Sequence, residues 1–220
     1  MYADRNDAAK QLSRALAHLH GTHPLVVGIP RGAMPIAARI AADLDGDLDV
    51  VLVRKLGAPW SPELALGAVD ESGHIHVNAV ARELGIDRDD LAETAGDELA
   101  RIRERRARYG QGRPALDPNG RVVIVVDDGL ATGATMHAAL AALRACKPAR
   151  LICALPVAAA DSLRREVSGM ADEVVCLSTP DDFQAVGQYY RYFPQVGDDE
   201  VVALLRQKAR SLRASPPDRR

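Results

Sequence analysis

The chain is punctuated by short apolar runs that stop abruptly at a polar or glycine-containing turn. Residues 25–29 (LVVGI) meet Pro30-Arg31-Gly32, after which residues 33–44 resume apolar spacing of helical period. Residues 49–53 (DVVLV) run into Arg54-Lys55, and residues 122–126 (VVIVV) into Asp127-Asp128, ahead of a helical stretch at 133–145. Further runs at 151–155 and 174–177 flank a helical stretch at 158–167. Runs that are apolar throughout, rather than alternating, mark strands covered on both faces. Strands alternating with helices predict a doubly wound α/β fold with a mainly parallel sheet. The aromatic share is only 4%, so Ala and Val carry the burial.

The middle breaks this rhythm. Residues 65–77 read as two short strands around Glu71-Ser72-Gly73, a hairpin signal, and residues 87–109 as one long helix capped by Asp87 or Asp89. An insert of about residues 56–113 is therefore expected. Residues 7–19 and 199–212 are amphipathic helices, and residues 178–197, which hold most of the aromatics, form a small C-terminal hood. The expected organisation is one domain over residues 1–212, with 213–220 (RASPPDRR) a disordered tail.

A net charge of −2 gives no global positive field, so nucleic acid is not expected as the main partner. Cys146, Cys153 and Cys176 lack metal-ligand spacing and read as buried free thiols of a reducing compartment. The six His likewise lack ligand spacing. The N-terminus carries no signal-peptide pattern and no run suffices to span a bilayer, so a cytoplasmic location without membrane contact is expected.

In an open parallel sheet, ligands bind beyond the carboxyl ends of the strands. After residue 126 come two carboxylates and then Gly129-Leu130-Ala131-Thr132-Gly133-Ala134-Thr135 leading into a helix. Ionised carboxylates accept hydrogen bonds from sugar hydroxyls. A small-residue turn at a helix start offers free amides to a phosphate. Ala134 stands where a Walker A motif needs Lys, and GxGxxG is absent. A diol binder beside a phosphate cradle spells a ribose 5-phosphate site.

This segment resembles the phosphoribosyl pyrophosphate signature of the type I phosphoribosyltransferases. The stretches DRNDAAKQLSRAL, IPRGAMPIAARIA and VRKLGAPWSPELALGAVDESG are similar to an uncharacterised bacterial predicted-phosphoribosyltransferase group, whose substrate the resemblance does not name. The resemblance implies that Asp127 and Asp128 hold the ribose hydroxyls and that Gly129 and residues 131–135 (Ala131, Thr132, Gly133, Ala134, Thr135) wrap the 5-phosphate. It implies that Arg31, Gly32 and Ala33 form the pyrophosphate loop, with Arg54 and Lys55 stabilising the leaving group beside Arg31. Mg²⁺ is the implied cofactor, held mainly by ligand oxygens, with Asp127 and Asp128 the candidate protein carboxylates. A homodimer is expected by resemblance alone.

The expected reaction transfers phosphoribosyl to a nitrogenous base or similar small acceptor. Ala131 replaces the Asp of the hypoxanthine-guanine branch, which argues against a 6-oxopurine acceptor. Asp181, Asp182 and Phe183, with Tyr189, Tyr190, Tyr192 and Phe193, either stack on an acceptor ring or pack the hood. Arg101, Arg103, Arg105, Arg106, Arg108 and Arg113 form a solvated helical face, a lid towards the phosphates, or a nucleic-acid patch. Glu63 and Asp70-Glu71 serve a metal or the insert's own hairpin. The alternative function is a non-catalytic, phosphoribosyl-pyrophosphate-sensing regulator.

Overall fold

The structure is a computed structural model and describes residues 1–58, 60–111 and 114–214, leaving aside the side chains of 62, 63, 79 and 209–214. Five strands form a parallel sheet: β1 (Leu25–Gly28), β2 (Asp47–Val50), β6 (Val122–Val126), β7 (Arg150–Val157) and β8 (Glu173–Ser178). Their order is β2-β1-β6-β7-β8. The continuous apolar runs are explained by two cores. Val26, Ile124 and Ile152 face a cluster with α1 (Arg5–Ala15), α2 (Met34–Asp43) and α7 (Asp198–Ala214). Their neighbours Leu25, Val27, Val123, Val125, Leu151 and Cys153 face the other cluster, with residues of α5 (Ala134–Ala145). The doubly wound, mainly parallel architecture expected from the alternation is therefore present.

The direction of winding reverses between β1 and β6. β1 leads through α2 on one face to β2, and β6 leads through α5 on the other face to β7. That reversal opens a crevice at the strand ends, the usual ligand position in such sheets.

The insert differs from expectation in three ways. The second parallel strand stops at Val50, and Arg54 and Lys55 lie inside β3 (Val53–Ala58) of a separate antiparallel sheet. A buried apolar run such as VVLV carries no periodicity that marks where one strand ends and another begins. β3 pairs with β4 (Ser61–Asp70), which pairs with β5 (Ile75–Val77), so the hairpin has a third strand. The long helix starts later than expected: α4 (Ala92–Gly110) begins only after residue 91, and a separate short helix, α3 (Ala79–Glu83), capped by Asn78, precedes it. Asp87 accepts the amides of Asp89 and Asp90, while Asp90 accepts that of Asp87. Side chains bonded to local backbone in this way favour a turn over a helix.

α7 extends to Ala214, two residues beyond the expected boundary, and the rest of the proposed tail (215–220) lies outside the described residues. No helix among the described residues is long and apolar enough to cross a membrane. Cys153 is buried as expected and Cys176 half-buried, but Cys146 is exposed because it sits at the end of α5.

Candidate functional site

β6 delivers Asp127 and Asp128 to the crevice, and the turn behind them is held in place. Leu130 donates its amide to Val157 and accepts that of Ala159, which pins the loop to the end of β7. Gly133 then turns the chain into α5 at φ 83°, a left-handed conformation suited to glycine. No side chain caps α5. Its first-turn amides have no intrahelical acceptor and keep the positive end of the helix dipole open to an anion. Ala131, Thr132 and Thr135 are exposed along the lip of this turn, Ala134 is half-buried, and Gly129 and Gly133 are buried.

The two acids differ. Asp127 Oδ1 accepts the Asp128 amide at 2.8 Å. Burial, and then the charge of Asp128, push the Asp127 carboxyl well above its ordinary range. Burial also raises Asp128, but the hydrogen bond and charge of Arg5 oppose it. Arg5 donates to Asp128 Oδ2 from Nε at 3.1 Å and from Nη2 at 2.9 Å. Among the described residues nothing donates to Asp127 Oδ2 or Asp128 Oδ1. Each acid thus keeps one acceptor oxygen for a ligand.

The first loop packs directly on this pair. Arg31 and Gly32 are half-buried and Ala33 buried, ahead of α2. A Cβ on Gly32 would stand 2.0 Å from Asp128 Oδ2. The glycine is required by the carboxylate itself, a reason invisible in the sequence.

A cleft of about 670 Å³ adjoins the loop, lined by Pro30, Arg54, Lys55, Arg105 and Thr135 among others. Arg101, Arg108 and Asp198 also reach it, so α4 forms its far wall. The predicted cations are not equivalent. Arg54 Nε contacts Glu98 at 2.5 Å, and Glu98 also takes Arg101 at 2.6 Å. Arg108 pairs with Asp198 at 2.7 Å, and the Tyr109 hydroxyl donates to Asp198 at 2.6 Å. That hydrogen bond, with the nearby charges of Arg108, Arg31 and Arg105, holds Asp198 below the usual carboxylate range. Arg31 and Arg105 are half-buried and form no ion pair with any described side chain.

The arginine-rich helix is thus divided between tasks. Arg101, Arg105 and Arg108 look into the cleft, and Arg103 points to solvent. Arg106 is built into the fold through Asp49 at 2.9 Å and Glu71 at 2.5 Å. Arg113 and the Glu63 side chain lie outside the described residues. Asp70 belongs to the hairpin: it binds His76 at 2.7 Å and Ser72 Oγ at 2.5 Å, and takes the amides of Ser72 and His74. Although burial opposes it, these donors lower the Asp70 carboxyl to about 2. Among the described residues no group of three or more His, Cys, Asp or Glu forms a ready metal cage.

The hood aromatics pack on one another. Tyr190 is buried against Phe193, ring centroids 4.6 Å apart, and donates its hydroxyl to the Asp128 carbonyl at 2.7 Å. Phe183 stacks on Tyr189 at 5.4 Å, while Tyr192, Asp181 and Asp182 are exposed. Tyr2 closes the other side, donating to the Pro156 carbonyl at 2.6 Å. Sequence reading missed both Tyr2 and Arg5. The signal, an N-terminal Tyr-Ala-Asp-Arg ahead of an amphipathic helix, gives no hint that its arginine reaches a residue 123 positions away.

The model of the phosphoribosyl transferase domain matches residues 1–194. The chain belongs to the phosphoribosyl transferase family. A Mycobacterium tuberculosis (H37Rv) protein whose name places it among the phosphoribosyl transferases is 44% identical over 206 residues, covering 93% of this chain and 46% of that protein. The chain therefore spans about half the length of the curated relatives it matches. The crystal structure of TT1426 from Thermus thermophilus has 43% identity and a TM-score of 0.85, covering 94% of this chain and 98% of that one.

Proposed function

We propose that this phosphoribosyl transferase family member is a Mg²⁺-dependent enzyme that binds 5-phosphoribosyl-1-pyrophosphate and transfers its phosphoribosyl group to a small nitrogenous acceptor, in nucleotide metabolism and in the cytoplasm. The observation that carries the donor half is the pairing of two strand-end carboxylates, each with an oxygen to spare, with the uncapped start of α5. Asp127 and Asp128 would accept the ribose hydroxyls, and the amides and hydroxyls from residue 131 to residue 135 would hold the 5-phosphate.

In the transfer, the bond from ribose C1 to pyrophosphate oxygen breaks, and its electron pair leaves with pyrophosphate. The acceptor nitrogen forms the new bond to C1 and gives up a proton. Negative charge grows on the leaving group; Lys55 and Arg105 line the cleft where it would develop, and Arg31 lies close enough for its charge to act on Asp198 in the cleft wall. Preorganised cations stabilise such charge without reorganising at the moment of reaction. Mg²⁺, when bound, would neutralise pyrophosphate oxygens, and two carboxylates beside a polyphosphate suit a cation that keeps most of its water. Arg54 would contribute less than the sequence implied, because Glu98 already neutralises it.

The test is pyrophosphate release from phosphoribosyl pyrophosphate and Mg²⁺ with adenine, guanine, hypoxanthine, xanthine, orotate or uracil supplied in turn. Release that depends on one acceptor is the expected result. Binding of the donor without release on any acceptor would redirect the reading to a sensor of the donor, and failure to bind the donor would overturn it.

A further inference from the structure

Arg5 has no place in the transfer just described, yet it is the most enclosed cation near the site, 8% exposed. It sits in the first turn of α1, and its guanidinium is used in three directions. Nε and Nη2 donate to Asp128 Oδ2, Nη1 donates to the Pro194 carbonyl at 2.7 Å, and Cζ lies over the Phe193 ring, 3.8 Å from its centroid. One residue thus joins the N-terminal helix, the hood and the acid pair. A buried ion pair stabilises a fold weakly compared with apolar packing of the same volume. What this pair does supply is a carboxylate with one oxygen held in place beside a second acid.

Resting on the donor reading above, we propose that Arg5 is a positioning residue for the ribose: it fixes Asp128 by one oxygen so that the other accepts a ribose hydroxyl. Gly32 encloses the same oxygen that Arg5 binds, which leaves Oδ1 as the free acceptor. The charged or titratable groups against Asp128 are Asp127 beside it, Arg5 from α1 and Tyr190 from the hood. Burial and its carboxylate neighbours raise the Tyr190 phenol, so it stays a neutral donor. Arg5 is the cation that opposes the tendency of the buried pair to take up a proton. Lys could supply the charge, but not the fork that reaches Asp128 and Pro194 together.

The experiment compares full-length wild type, R5Q and R5K by titration calorimetry against three probes: phosphoribosyl pyrophosphate with Mg²⁺, ribose 5-phosphate, and inorganic phosphate. R5Q should bind both ribose ligands roughly 10- to 100-fold more weakly, the worth of a hydrogen bond to a charged group, and bind inorganic phosphate as wild type does. R5K, which keeps the charge but not the fork, should show an intermediate loss for the ribose ligands. A purely structural role would weaken all three probes together, and that result would overturn the proposal, as would wild-type affinity in R5Q. Should R5Q not fold, R5K with wild-type affinity for ribose ligands would equally overturn it. Wild type that binds inorganic phosphate but neither ribose ligand would overturn the donor reading beneath it.

Discussion

Two acids withdrawn from solvent, one in the insert and one at the carboxyl end of the central strand β6, illustrate the division of labour in this molecule. Asp70 is saturated: His76, Ser72 and the His74 amide all donate to it, and its carboxyl is lowered to about 2. Asp127 accepts one backbone amide, faces the like charge of Asp128, and is raised. Both are charged groups taken out of water, which costs free energy unless partners compensate. At Asp70 the protein supplies the partners itself, and the result is a hairpin turn tied together by one carboxylate. At Asp127 it does not, and the unsatisfied capacity is what a ligand rich in hydroxyl donors would fill.

Asp127→Asn sharpens the contrast most. Phosphoribosyl pyrophosphate affinity should fall roughly 10- to 100-fold, as expected on loss of a charged hydrogen bond, while the melting temperature holds or rises, because repulsion from Asp128 is relieved. A lowered melt with intact affinity would reverse the assignment. Asp128→Asn is a less clean probe, since it also strands the buried Arg5.

Asp70→Asn should do the opposite. A carboxyl depressed in the folded state contributes stability above its unfolded value, lost as pH falls through the folded one. The variant should therefore be less stable by up to about 2 kcal/mol at neutral pH, with the deficit vanishing between the ordinary Asp value of 3.8 and about 2. Denaturant melts against pH measure this, and donor affinity should not move.

The smallest expected effects separate the cleft cations. Arg105→Met should lower turnover roughly tenfold, the scale of one charged contact to the leaving group. Arg54→Met should lower it no more than about fivefold, since a half-exposed ion pair to Glu98 already holds the charge. Equal losses would mean that Glu98 does not quench Arg54.

The parallel core was legible because each strand buries both faces, and its residues could belong to nothing else. The β6 run and the turn after it stood out as a candidate site for the same reason: burial on both sides leaves the residues that follow as the ones open to a ligand. The insert was less legible. The run VVLV hides a change of sheet at residues 51–52, and the Asp87–Asp90 turn competes with a helix that its periodicity would otherwise extend.

Sequence alone determined the sheet, the winding and the strand-end acids, since periodicity and turn chemistry act over a few residues. Tertiary structure alone decided which charges remain available. Arg5 reaches Asp128 across 123 positions, Arg106 is consumed by Asp49 and Glu71, and Glu98 takes Arg54. Pairing of charges depends on distances of a few ångströms between remote segments, and no local pattern encodes them.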